Sequence, residues 1–338
     1  MTSPDSPLRI GTLGTARITP KALLQPAGAQ SGVSVAAVAA RDVDRARAWA
    51  REHAVPKVLS TYDELIASPE IDAIYNPLPP SLHAEWSLRA LEQGKHVLCE
   101  KPFTQNEREA RQVADAAKSS GLVVCEAFHT RYHPLMLRAL DIAHSGQLGD
   151  PLQAEAFFNA PIENTPSQIR YRYDLGGGAT MDLGCYPLHW LRHLLRSVPS
   201  VTQARAVVGP EQIDVAMEIE LDFDGVPARV QTDMRPDCEY GSRLEIRGSE
   251  ATMRVINPLV PQLGHRLELE TQGRKMTEDL GTSTTFQHQL EAFCQAVRAA
   301  QRGDRWSLPT DAEDGVHSMR VLDAVYRTAG LATRGTQR

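Results

Sequence analysis

Ile71-Asp72-Ala73-Ile74-Tyr75-Asn76-Pro77-Leu78-Pro79-Pro80-Ser81-Leu82-His83-Ala84-Glu85-Trp86-Ser87-Leu88-Arg89-Ala90-Leu91-Glu92-Gln93-Gly94-Lys95-His96-Val97-Leu98-Cys99-Glu100-Lys101-Pro102 decides the fold. Ile71 to Tyr75 predicts a strand, and Asn76 to Pro80 a turn. An amphipathic helix from His83 to Glu92 follows, closed by Gly94, and His96 to Cys99 returns as a second strand. Strand, helix and strand in this length make a parallel pair, with Lys101 at its C-terminal edge. That edge is where open α/β sheets bind ligands.

The pattern extends on both sides. Leu8 to Leu13 is an apolar first strand, and Val33 to Ala39 is a nearly continuous apolar run, as in strands buried on both faces. Asp42 is placed to cap a helix from Val43 to Glu52. Thr104-Gln105-Asn106-Glu107 matches a capping box that opens a helix to about Ser119, ended by Gly121, and Val123 to Ala127 is the last strand of this half. From Gln153 onward period-two segments dominate: 153–158, 204–208, 216–223, 227–234, 242–248, 252–256 and 266–269. Asp224-Gly225 between two of them is a hairpin signal. The expectation is therefore an α/β protein: a dinucleotide-binding Rossmann domain with a parallel sheet over residues 8–128, then an α+β substrate-binding and oligomerisation domain with an open, mostly antiparallel sheet over residues 129–330. Two final helical patterns, 286–300 and 316–329, are expected to pack back across the domain junction.

Composition narrows the function. A net charge of −6 argues against nucleic acid or an anionic membrane as the main partner, and no apolar run is long enough to span a bilayer. Residues 1–7 lack the apolar core of a signal peptide and are expected to be a disordered leader. Five scattered cysteines suggest reduced thiols and a cytoplasmic protein.

Gly11-Thr12-Leu13-Gly14-Thr15-Ala16-Arg17-Ile18 turns the first strand into the first helix, where a pyrophosphate lies against backbone amides. Only Gly14 keeps the register of a dinucleotide fingerprint; Ala16 and Thr19 stand where further glycines are usual. After the second strand come Ala40, Arg41 and Asp42. A basic residue there accommodates a 2′-phosphate, so NADP(H) is favoured over NAD(H). Alternatively Arg41 is a solvated loop cation and Asp42 reaches the ribose.

With these residues in view the chain resembles the Gfo/Idh/MocA oxidoreductases. The resemblance is carried by Gly11-x-x-Gly14-x-Ala16, by Asn76 to His83, by Gly94 to Pro102, and by Gly176-Gly177-Gly178-Ala179-Thr180-Met181-Asp182-Leu183-Gly184-Cys185-Tyr186. Tyr186 is most similar to the branch containing glucose–fructose oxidoreductase, dihydrodiol dehydrogenase, xylose dehydrogenase and deoxysugar ketoreductases. The resemblance implies a nicotinamide cofactor, a sugar or cyclic alcohol or ketone as substrate, and a homodimer or homotetramer. It also implies a Lys101–Pro102 bond that is often cis. Pro80 and Ser167-Gln168-Ile169-Arg170 depart from, or vary within, the family.

Hydride transfer at a carbinol carbon needs a proton to move on its oxygen. The resemblance implies that Lys101 and Tyr186 meet as the proton-handling pair; placed together, the ammonium favours the phenolate while desolvation disfavours the charged amine. Asp182, Tyr186 and His189 share a face if their stretch is helical. Asp182 then binds a substrate hydroxyl or tunes Lys101; alternatively it caps a helix. The expected cofactor residues are Gly11, Gly14, Thr15, Ala16, Arg17, Ile18, Ala40, Arg41, Pro77, Leu78, His83, Glu100 and Lys101, and the expected substrate residues Lys101, Arg170, Asp182, Tyr186 and His189. His83 serves equally as a core or capping histidine. Arg170 to Tyr173 and Arg131 to His133 either line a sugar pocket or lie in ordinary loops. His189 and His193 have metal-ligand spacing but no evident third ligand, so no metal is expected. The expected activity is an NADP(H)-dependent dehydrogenase or reductase acting on CH–OH groups. Redox-assisted elimination with a retained cofactor, and a catalytically silent dinucleotide sensor, are the alternatives.

Overall fold

Strand β1 (Leu8–Leu13) lies at the centre of a parallel sheet in the computed structural model, which describes residues 6–336. The expected leader falls mainly on residues 1–5, outside the described residues. The sheet adds β2 (Val33–Ala39), β3 (Lys57–Leu59), β4 (Ala73–Asn76), β5 (His96–Cys99) and β6 (Val124–Glu126), in the order β3-β2-β1-β4-β5-β6. Every neighbouring pair is parallel. β4 and β5 are buried at every position, which is why neither shows the polar–apolar alternation of a half-exposed strand. The chain moves outward from β1 to β3 and then restarts beside β1 with β4. That reversal opens a crevice at the C-terminal ends of β1 and β4.

Helical segments connect these strands. A wide π-type turn at Pro20–Leu24 runs into α1 (Gln25–Gly28). Then come α2 (Val43–Glu52), α3 (Tyr62–Ala67), α4 (His83–Glu92) and α5 (Glu107–Ser120). The Asp42 carboxylate accepts from Arg45 N at 3.0 Å and so caps α2. The capping box at α5 sits two residues later than expected. Asn106 is the cap, accepting from Glu109 N at 3.0 Å, while Thr104 Oγ1 donates to Asn106 O. Asparagine and threonine both cap well, and only the path of the chain into the helix chooses between them. β3 and α3 were not expected, being too short to show a period.

A second sheet contains β7 (Pro151–Asn159), β8 (Ser200–Val208), β9 (Asp214–Phe223), β10 (Val226–Asp233), β11 (Gly241–Gly248), β12 (Thr252–Ile256), β13 (Arg266–Thr271) and β14 (Arg274–Glu278). Its order is β14-β13-β12-β11-β7-β10-β9-β8, antiparallel throughout except for the parallel pair β7–β10. Asp224 and Gly225 form the two-residue turn between β9 and β10, with φ of 54° and 94°. β14 was missed because Arg-Lys-Met-Thr-Glu is polar and almost fully exposed.

Helix α7 (Cys185–Leu195) packs on β7, β10 and β11, and α6 (Pro134–His144) packs on α7. Ala154, Ala156 and Phe158 of β7 are buried, whereas Glu155 and Phe157 look out with Arg205, Glu218, Arg229 and Arg243 onto an open polar face.

The chain forms two compact units: the chain through His129 with Phe286–Val316, and Thr130–Thr285 with the chain from His317 onward. Helix α8 (Thr285–Gln301) therefore belongs almost wholly to the first unit, and the boundary falls inside α9 (Ala312–Thr328). Within the first unit, Thr310 exchanges two hydrogen bonds with the Glu126 backbone, and Arg298 donates to Ser6 O and Gly32 O. No helix among the described residues is long and apolar enough to cross a membrane.

Candidate active site

In the first unit, the β1 turn is tied to the end of β2. Gly14 N donates to Ala39 O at 2.6 Å, and Gly14 has φ of 75°. A Cβ at Gly14 would lie 3.3 Å from Leu78 and 3.6 Å from the Tyr62 hydroxyl, so a side chain would be strained and would fill the space over the turn. Gly11 sits inside β1, where a Cβ would meet Leu65 and Ile71; its smallness admits α3 against the strand. Thr15, Ala16, Arg17 and Ile18 follow, and Ile18 O accepts from Lys21 N and Ala22 N as the first helical turn forms.

Ala40 is buried and Arg41 exposed just past β2. Arg45 reaches back from α2 to donate to Thr15 O at 3.4 Å. Burial pushes the Tyr62 phenol above the usual tyrosine range. The charge of Arg41, a hydrogen bond with its backbone and the charge of Arg45 oppose this. Arg41, Arg45 and Tyr62 thus form a basic, hydroxyl-bearing edge. Sequence reasoning found only Arg41; the signal for Arg45 was its place one helical turn beyond the Asp42 cap. The Asp42 carboxylate is occupied by that cap.

These groups fit a nicotinamide dinucleotide. The space over Gly14 is open only because a Cβ is missing, and the buried Thr12 and Thr19 hydroxyls have no hydrogen-bond partner among the described residues. Gly14 to Ile18 would face the pyrophosphate, with Arg41 and Arg45 beside the ribose.

At the β4 and β5 edge, Asn76 Nδ2 donates to His83 O at 3.2 Å and to Ser87 Oγ at 3.3 Å, while Asn76 Oδ1 accepts from Leu78 N. Pro77 and Leu78 are buried in this turn. The His83 ring lies between two carbonyls, 2.8 Å from Pro102 O and 2.6 Å from Leu78 O. Burial lowers its pKa to about 4; the two carbonyls oppose the change and the Lys101 charge adds to it. The neutral His83 ring has one N–H and donates to one of these carbonyls, with its other nitrogen against the second. Tyr75 Oη donates to Glu100 Oε1 at 2.7 Å, fixing the carboxylate beside Lys101. The Lys101–Pro102 bond is cis.

In the second unit, a π-type turn at Thr180–Gly184 leads into α7 and carries Asp182 to the helix entrance. Arg170 Nε donates to Asp182 Oδ2, and the charge of Asp182 holds the guanidinium above its usual range against burial. The hydrogen bond to Asp182 and the Tyr186 phenol act on Arg170 in the same direction. Arg170, Asp182 and Tyr186 are therefore brought together. Tyr186 is buried, with its ring 5.8 Å from Phe158 and 6.0 Å from Trp190. His189 is buried and stacks on His193 at 4.2 Å.

The other residues of the loops have their own partners. Tyr171 Oη donates to Ile162 O, Arg172 pairs with Asp174, and Tyr173 Oη donates to Thr333 O. His133 caps α6 by accepting from Leu135 N, and Arg131 Nε donates to His193 Nδ1 at 3.4 Å.

A parallel sheet with its crevice at β1 and β4, a glycine turn and a basic edge after β2 together define a dinucleotide-binding oxidoreductase fold. Residues 8–128 match the family model described as "Oxidoreductase family, NAD-binding Rossmann fold", and residues 136–254 match the "GFO/IDH/MocA C-terminal domain". The chain belongs to the Gfo/Idh/MocA oxidoreductase family.

It is 33% identical over 324 residues to D-xylose 1-dehydrogenase (NADP(+)) 2 of Haloferax volcanii, covering 95% of this chain and 97% of that protein. It is also 33% identical over 333 residues to the dTDP-3,4-didehydro-2,6-dideoxy-alpha-D-glucose 3-reductase of Streptomyces violaceoruber, covering 96% of each. KijD10, a 3-ketoreductase from Actinomadura kijaniata in complex with NADP and TDP-benzene, superposes with a TM-score of 0.87 at 29% identity, covering 96% of this chain and 98% of that one.

Proposed function

We propose that the protein is an NADP(H)-dependent oxidoreductase that interconverts a secondary alcohol or hemiacetal and its carbonyl on a sugar or cyclic polyol. The observation that carries this is the Arg170–Asp182 pair beside Tyr186 at the entrance to α7. A forked donor, a carboxylate and a phenol together match the donors and acceptors of neighbouring hydroxyls. The activities named for the relatives, a sugar dehydrogenase and a nucleotide-sugar reductase, support the same substrate class.

When bound, the dinucleotide accepts or donates a hydride at nicotinamide C4. In oxidation the substrate hydroxyl would release its single proton to the Tyr186 phenolate, which the Lys101 ammonium keeps charged, as the carbinol C–H electron pair departs. Reduction reverses each transfer. Asp182, held by Arg170, accepts from a neighbouring substrate hydroxyl and fixes the ring against rotation. Arg41 and Arg45 supply charge for a 2′-phosphate, which favours NADP(H).

The test follows nicotinamide absorbance with NADP+ and NAD+ over aldoses, inositols and cyclic diols, and with NADPH over ketosugars. Activity with a sugar or cyclic polyol that prefers the phosphorylated cofactor, and falls by about a thousandfold in Lys101→Ala while NADPH binding is kept, is expected. Undiminished turnover in that variant would refute the proton role. Silence on both panels despite NADPH binding would refute the substrate class.

A further inference from the structure

Residues 329–336 form no regular element, yet Arg334 among them is 1% exposed and its partner Asp214, at the start of β9, is 0% exposed. Arg334 Nη2 donates to Asp214 Oδ1 at 2.6 Å, and Nε donates to Gly177 O at 2.6 Å. The guanidinium lies over two rings, 4.8 Å from the Tyr173 centroid and 4.2 Å from that of Tyr326. Tyr326 Oη donates to the same Asp214 oxygen at 2.9 Å, and Thr180 N donates to the other at 2.7 Å. Tyr173 Oη donates to Thr333 O at 2.9 Å, so the segment is tied down on both sides of its arginine.

What this cluster grips is the glycine run. Gly178 has φ of 136°, and a Cβ there would fall 2.3 Å from Asp214 Oδ1, 2.7 Å from Tyr326 Oη and 2.8 Å from Arg334 Nη2. The cluster fills the side-chain space that Gly178 lacks. Gly178 in turn holds both members of the charge pair by their backbones. Its N donates to Arg170 O at 2.9 Å, and its O accepts from Asp182 N at 3.0 Å.

We propose that Arg334 and Asp214 are positioning residues, a clasp from the C-terminal segment that sets the Gly176–Gly178 turn and, through it, the register of Arg170 against Asp182 and Tyr186. This rests on the proposal above that those three contact the substrate. The chemistry of the clasp explains why it is ionic. A buried ion pair adds little net stability over apolar packing, so tying down a tail does not require one. A planar guanidinium with fixed donors does what an apolar plug cannot: it orients one carbonyl, Gly177 O, and one carboxylate at once. Arg334 lies outside both segments matched by the family models.

The experiment compares wild type with Arg334→Ala and Arg334→Lys in three readouts: steady-state kinetics, NADPH binding by fluorescence, and amide exchange. Expected for Arg334→Ala are a fall of about a hundredfold in kcat/KM for the sugar and NADPH binding within twofold of wild type. Amide exchange should be faster over residues 177–186 but not over β11 or β12. Millimolar guanidinium should restore at least a tenth of the lost activity, which a merely structural defect would not allow. Arg334→Lys keeps the charge and loses the fork, and should recover only part of the activity.

Unchanged kinetics in both variants, or a loss matched by faster exchange throughout the second unit and no rescue, would overturn the clasp. Should wild type turn over no sugar or polyol, the substrate proposal fails separately. The exchange pattern then decides: acceleration confined to residues 177–186 upholds the anchoring, and its absence overturns it.

Discussion

The dinucleotide turn of the first unit and the α7 entrance of the second are built by opposite means. At the dinucleotide end, the working groups come from a short local turn and from strand ends already aligned by the sheet. Gly14 and Ala39 meet because β1 and β2 are neighbours, and one backbone hydrogen bond of 2.6 Å completes the turn. At the α7 end, no local motif suffices. Arg170 is aimed by Asp182, the Gly178 turn between them is held by Asp214, and Asp214 is held by Arg334. A backbone-built site tolerates side-chain change, because its donors are amides. A side-chain-built site has long supporting chains and should fail at a distance.

The largest expected effect cuts across that contrast. Lys101→Ala removes the amine proposed to handle the proton from a backbone-built edge, and kcat/KM should fall about a thousandfold with dinucleotide affinity unchanged in a binding titration. If affinity fell equally, Lys101 would belong to the cofactor site alone.

The next expectation concerns stability and pH. His83 and His96 are both buried neutral, each with a pKa lowered to about 4 from 6.5, mainly by burial. His96 Nδ1 accepts from Val123 N at 3.0 Å, a bond that a proton on that nitrogen would break. Between these values the unfolded chain binds protons that the folded chain refuses. Their contribution is thus intact above about pH 6.5 and is lost as pH falls toward 4, by about 3 kcal/mol for each histidine. Denaturant midpoints measured from pH 7 to 4.5 should drop steeply, and His96→Asn should flatten the slope by about one proton. A flat profile would show that neither ring is held neutral.

Asp182→Asn sharpens the comparison from the other side. It keeps the shape and removes the charge that aligns Arg170, so kcat/KM for the sugar should fall by about a hundredfold, with NADPH binding unmoved. The smallest effect should come from Arg45→Ala. Loss of one cation facing a 2′-phosphate should raise KM for NADP+ about tenfold and leave KM for NAD+ within twofold. Equal changes for both cofactors would place Arg45 elsewhere than at the phosphate.

Much of the fold was legible because its signals are local. The α4 boundaries, the Asp42 cap and the Asp224-Gly225 hairpin depend on residues within a few positions of one another. The shift of the α5 cap from Thr104 to Asn106 shows where local signals become degenerate, since either residue satisfies the rule. β3, α3 and β14 escaped because they are short or polar on both faces. The site divides in the same way. Gly14, Arg41, Lys101, Asp182 and Tyr186 stand in recognisable runs, whereas Arg45 and Tyr62 are ordinary surface-type residues until the sheet brings them to the end of β2. Arg334, in an unpatterned tail, carried no signal at all.

By itself the sequence determined the alternation of strand and helix in the first half, the parallel character of the first sheet and the family. Periodicity, caps and turn chemistry act over a few residues and survive without tertiary context. Only the tertiary structure decided that the His83 ring is buried with a carbonyl beside each nitrogen, and that Arg334 closes on Asp214 across 120 residues of chain. Those outcomes depend on which polar groups lose water together. A buried group must find its partner wherever the fold presents one, and no spacing in the chain encodes that choice.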